Sequence, residues 1–118
     1  MNAEIVELLR RVGVPAHVKG YTYLKDALDI CYSDKSYLDG ITKRLYPAIA
    51  KREDTTASRV ERAIRHAIEI AVTRPDAEFR ESLFGVGNCM FRPTNSEFIA
   101  TLTEQLHLEY DPSETNLK

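Results

Sequence analysis

Apolar residues recur along this chain at spacings of three and four from end to end, and strand-like alternation is nearly absent. The pattern predicts an all-α protein of about six helices. A first helix carries Ile5, Leu8, Leu9 and Val12, with Asn2 as its cap, Gly13 ending it and Pro15 preventing continuation. Ala16 to Gly20 reads as extended, and a second helix covers roughly Tyr21 to Tyr32, with Leu24, Ala27, Leu28 and Cys31 on one face. A third helical stretch runs from about Ser36 to Arg52, with Leu38, Ile41, Leu45, Ile49 and Ala50 inward. Proline costs ~3 kcal/mol in a helix interior but sits well in a first turn. The stretch is therefore expected to break at Pro47, which opens a short helix ending near Arg52.

The fourth helix, roughly Thr56 to Thr73, is the longest and most regular, and Arg74-Pro75 stops it. Asp76 is placed to cap a short fifth helix bearing Phe79, Leu83 and Phe84, closed by Gly85. Gly85 to Arg92 reads as a loop or a small turn. Thr94-Asn95-Ser96-Glu97 has the spacing of a capping box and starts a sixth helix with Phe98, Ile99, Leu102 and Leu106. The whole reads as one domain over 1–108 and a polar tail over 109–118, without internal repeats or low-complexity segments.

Composition narrows the function by exclusion. With 43% apolar and 29% charged residues the chain has a core and a soluble surface, and no stretch approaches the ~20 apolar residues that span a bilayer. Met1-Asn2-Ala3-Glu4 lacks the basic start and apolar block of a secretory signal, so a cytoplasmic protein is expected. Cys31 falls on an apolar stripe and reads as a small core residue, while Cys89 sits in the loop. Neither cysteine belongs to a CxxC pair, and His17, His66 and His107 are isolated from them and from one another, so no metal or cofactor is expected. Paired carboxylates, a nucleophile–base set and a phosphate-cradling glycine loop are all missing; an enzyme is not expected.

Charge adds a direction. The net charge of −2 would argue against nucleic acid, but its distribution does not. Thr42 to Arg74 holds eight basic and four acidic residues, a surplus of +4, and the remainder stands at −6. A protein that meets phosphate on one face carries such a footprint.

Within the basic segment lies the constellation of a helix-turn-helix, in which small and apolar residues must sit where two helices cross. Ile49-Ala50 supplies them on the first helix (Pro47–Arg52), Glu53-Asp54-Thr55 makes the turn, and Val60, Ala63 and Ile64 face inward from the second. Asp54 stands where such turns often have glycine, and Asp accepts the left-handed conformation better than most residues. Ala57, Val60, Ile64, Ala67, Ile68 and Ala71 form one apolar stripe, and Ser58, Glu61, Arg62, Arg65 and Glu69 face away, with Arg59 and His66 at the edge. Arginine can donate two bonds to guanine O6 and N7. Arg62 is therefore expected as the main base reader, with Arg59 and Glu61 beside it. Arg65 and His66 are placed for phosphate, and Ser58 for phosphate or for capping the helix. Taken alone, such a face is an ordinary solvated one; turn, crossing residues and basic bias together point to double-stranded DNA.

The run Thr55-Thr56-Ala57-Ser58-Arg59-Val60-Glu61-Arg62-Ala63-Ile64-Arg65-His66-Ala67-Ile68-Glu69 closely resembles the recognition segment of the stage zero sporulation protein A family, the master sporulation transcription factors of endospore-forming bacteria. Gly13 to Tyr21, Ile41-Thr42-Lys43 with Leu45-Tyr46-Pro47, and Pro93 to Ala100 agree as well, so the similarity runs from Ile5 to about Leu108. The resemblance implies the six-helix effector domain of that response regulator. It further implies binding to boxes similar to TGTCGAA, often in tandem with a second copy side by side, with Arg59, Glu61 and Arg62 as readers and Arg65 and His66 close to the backbone. Contact with the RNA polymerase sigma subunit near Pro75 to Gly85 is also implied. The family's full protein begins with a receiver domain that this sequence does not contain, so either an excised domain or a single-domain relative is expected. A protein-interaction module that binds the sporulation factor or polymerase without reading DNA is the alternative.

Overall fold

The rows of apolar residues fold as helices, and what ends each helix is chemical. The computed structural model describes residues 1–74, 78–84 and 92–110; among them lie six α-helices and no strand. Helix α1 (Asn2–Val12) buries Ile5, Leu8, Leu9 and Val12 and closes on Gly13, whose φ of 98° is left-handed. The Gly13 N–H donates to the carbonyls of Leu9 and Arg10, both at 3.1 Å. Asn2 is not the cap that the sequence offered: it is already helical, Met1 holds the cap position, and no side chain serves there. The terminal amine pairs with Glu4 at 3.4 Å instead.

Helix α2 (Lys19–Ser33) begins inside the stretch expected to be extended. Ala16 and His17 form a turn, and Val18 has extended backbone, at φ −93° and ψ 151°. Gly20 is thereby drawn into a helix, where it lies against the fourth helix. The stretch before Pro47 departs from an ideal α-helix as well. A 3₁₀ segment over Lys35–Gly40 starts at Asp34, whose carboxylate accepts from the Ser36 N–H at 3.0 Å, and a π turn over Ile41–Leu45 follows. Helix α3 (Tyr46–Glu53) then opens with Pro47 in its first turn. Proline has no N–H to give to the carbonyl one turn back, and the wide turn ahead of it accommodates the missing bond.

Helix α4 (Ala57–Val72) packs on α2, on α3 and on helix α6 (Asn95–Tyr110), with Val60, Ile64, Ala67, Ile68 and Ala71 buried. Ala57 and Ala63, expected inward, are half-buried. Helix α5 (Glu78–Phe84) is fastened to the end of α4 by Arg80. Its guanidinium donates to the carbonyls of Ala71 at 2.6 Å, Arg74 at 3.3 Å and Val72 at 3.4 Å. A cation thus meets the negative end of the α4 dipole, where α4 has no basic residue of its own in its last turn.

The capping box forms as expected: Glu97 Oε1 accepts from the Thr94 N–H at 2.9 Å, and Thr94 Oγ1 accepts from the Glu97 N–H at 3.1 Å. Helix α6 continues through Glu109 and Tyr110 rather than giving way to tail at Glu109. The Glu109 carboxylate pairs with Arg11 of α1 at 3.4 Å, which holds that last turn against the domain. Cys31 is fully buried, and burial pushes its thiol up to about 11. No helix among the described residues is long and apolar enough to cross a membrane. The expectations for Pro75, Asp76, Gly85, Cys89 and the tail beyond Tyr110 lie outside the described residues.

Candidate nucleic-acid interface

The turn between α3 and α4 fixes their crossing. Asp54 takes φ 54° and ψ 54°, the left-handed conformation expected of it, and its N–H donates to the Ala50 carbonyl. The Thr55 N–H reaches the same carbonyl at 2.9 Å. Thr56 then adopts extended backbone and accepts from the Arg59 N–H through Oγ1 at 3.2 Å, so Thr56 caps α4. Ser58 is left exposed in the first turn without capping duty. Asp54→Gly should relieve the left-handed strain and raise unfolding stability by ~0.5–1 kcal/mol, net of glycine's entropic cost. A urea midpoint equal to or below that of the parent would show that Asp54 is not strained.

The two sides of α4 separate cleanly. Val60, Ile64 and Ala67 are fully buried. Ser58, Arg59, Arg62, Arg65 and His66 are exposed and Glu61 is half-buried. All six residues expected at the site therefore stand on or beside one outward face, concentrated in the first half of the helix.

Pairing divides the positive charge of this region. Arg44 bonds the Ser36 hydroxyl at 3.0 Å and lies over the Tyr37 ring at 4.2 Å. Arg52 is held between Asp29 at 3.1 Å and Asp26 at 3.3 Å, which ties α3 to α2. Burial, and then the neighbouring Glu53 carboxyl, push the Asp26 carboxyl up to about 7 against the opposing pull of Arg52. Arg65 pairs with Glu61 at 2.7 Å one turn before it. Lys43, Lys51, Arg59 and Arg62 are exposed and carry no ion pair to any described residue. The sequence census counted all of these cations alike. The fold leaves Arg59 and Arg62 open on α4 and commits Arg44 and Arg52 to the protein itself.

A residue that sequence reasoning used only as a spacer enters here. Asn95, the first residue of α6, donates through Nδ2 to the Tyr46 hydroxyl and to the Glu61 carbonyl, each at 3.0 Å. Its signal in the sequence was faint: inside Thr-Asn-Ser-Glu only the outer two residues have work in the capping box, so the amide was free for another partner. Beside it opens a groove of about 430 Å³ bounded by Thr42, Tyr46, Glu61, Arg65, Arg92 and Asn95. Arg92 on its far side pairs with Glu69 at 3.3 Å.

The arrangement presents the exposed guanidinium groups of Arg59 and Arg62, unpaired to any described residue, on the first turns of a helix whose other side is anchored in the core, the part that enters a major groove in helix-turn-helix proteins. No three His, Cys, Asp or Glu side chains among the described residues gather as a metal site. A family model described as "Sporulation initiation factor Spo0A C terminal" matches residues 5–106 of the 118-residue chain.

Proposed function

The chain belongs to the family of Spo0A C-terminal domains, the DNA-binding effector part of a sporulation initiation factor, and from that premise we propose which DNA it reads and with which side chains. It binds duplexes carrying a TGTCGAA-like box. Arg62 is the principal base reader, with Arg59 beside it. Glu61 acts by holding Arg65 and by accepting from cytosine N4 where the box presents it. Arg65, His66 and Ser58 bond the phosphate backbone. The observation that carries this reading is the pair of exposed guanidinium groups of Arg59 and Arg62, unpaired to any described residue, opposite the buried Val60–Ile64–Ala67 row.

The fork of Arg62 can satisfy guanine O6 and N7 together, and such a pair discriminates against the wrong base. Arg62→Ala is expected to weaken binding to a TGTCGAA duplex by ~1–3 kcal/mol and to leave a scrambled duplex far less affected. Affinity for both duplexes should fall as salt rises, because phosphate contacts release counterions. A gel shift with the two duplexes at two salt concentrations decides the matter. Equal losses on both would remove Arg62 as a base reader. A folded chain indifferent to every duplex would favour the protein-interaction reading instead.

Two partners complete the proposal. A second copy binds side by side on tandem boxes, and the sigma subunit of RNA polymerase meets the stretch from Pro75 to Gly85. Within that stretch α5, held to the end of α4 by Arg80, is the described part.

A further inference from the structure

We infer that Asn95 is a positioning residue for base reading: its side-chain amide ties the start of α6 to both helices of the helix-turn-helix and sets where the first turns of α4 stand. The inference rests on the DNA-reading proposal and deepens it.

The chemistry fixes the amide's orientation. The Glu61 carbonyl can only accept, so the group 3.0 Å from it must be the NH₂ and not the oxygen of Asn95. The same NH₂ has a second hydrogen, and the Tyr46 hydroxyl receives it at 3.0 Å. One rigid planar group therefore spans three elements: α6 through its own backbone, α3 through Tyr46 and α4 through Glu61. Both ends are firmly seated. Tyr46 is only 5% exposed, and the capping box holds the backbone on either side of Asn95 through Thr94 and Glu97.

The tie falls where it matters for recognition. Glu61 lies between Arg59 and Arg62, and its carboxylate holds Arg65. In an α-helix the Glu61 carbonyl also accepts the Arg65 N–H. Asn95 thus fixes a point of backbone inside the segment that carries every proposed base contact. Asp54 and Thr56 hold the N-terminal approach of α4, and Arg80 acts at its far end, away from these first turns. Asn95 supplies the constraint from the other side.

The test uses Asn95→Ala and Asn95→Asp. Aspartate is nearly the same shape and favours a helix first turn, so α6 keeps its start; the bond to the Glu61 carbonyl is lost, while the Tyr46 hydroxyl can turn its own hydrogen to the carboxylate. In either variant, hydrogen exchange of the amides from Arg62 to Arg65 is expected to quicken ~3–10-fold, the range of one lost hydrogen bond. The ratio of affinities for TGTCGAA over scrambled duplex is expected to fall about as much. Circular dichroism should report a folded helical domain in at least the aspartate variant. Unchanged exchange at those amides overturns the tie. Quickened exchange with an unchanged affinity ratio overturns the positioning role. If the parent protein itself shows no preference between the duplexes, the base-reading proposal fails and the positioning role with it, while the exchange result still tells whether the tie exists.

Discussion

Gly20→Ala is expected to lower the unfolding free energy by roughly 3 kcal/mol, at the upper end of what overpacking a close-packed site costs. A Cβ built on Gly20 would lie 2.6 Å from the Ala67 Cβ and 2.9 Å from the Ala63 carbonyl carbon, and nearer still to that carbonyl's oxygen. Two of these three atoms are backbone, so the methyl has nothing flexible to displace. The ~1 kcal/mol that alanine gains over glycine in a helix does not offset the clash. In a domain of this size the melting temperature should drop by about 10 °C. The variant that remains folded should also bind DNA less tightly, because α4 must move off α2. A Gly20→Ala protein as stable as its parent would show that the two helices are not seated this closely.

Phe98→Ala is expected to cost about 3–5 kcal/mol, the range for emptying a buried phenylalanine site. Phe98 is completely buried on α6, and its ring stacks on Phe84 of α5 with centroids 5.4 Å apart and planes 2° from parallel. Its loss therefore opens a cavity and removes an aromatic partner of the helix that Arg80 fastens to α4. Against a total stability of ~5–15 kcal/mol, a large share disappears. Phe98→Leu keeps most of the volume and should cost much less, so the difference between the two variants in urea unfolding isolates the cavity. Equal losses would mean that the stacking, and not the filled volume, carries the effect.

The sequence disclosed the elements whose signals are local. Asp54 was legible because few residues besides glycine accept its conformation, and the capping box because Thr94 and Glu97 answer each other across three residues. The outward side of α4 was legible because its inward row repeats without interruption. Gly20 was not. In the sequence it reads as the last residue of an extended stretch after Pro15, and only the approach of α4 shows why a glycine stands inside a helix. The mixture of 3₁₀ and π turns before Pro47 was hidden for another reason. Ile41 and Leu45 are four apart, a spacing that an α-helix and a π turn both place on one side within so short a run. Asn95 and Arg52 were missed in their roles because their partners, Glu61, Asp26 and Asp29, are distant in sequence.

One consequence concerns how such a domain changes its taste in DNA. Because the side of α4 that meets solvent shares no residue with the Val60–Ile64–Ala67 row, the proposed reading at Ser58, Arg59 and Arg62 implies that substitutions there retarget the protein while its architecture stays intact. A library randomised at those three positions alone should yield mostly well-folded members with divergent binding sites.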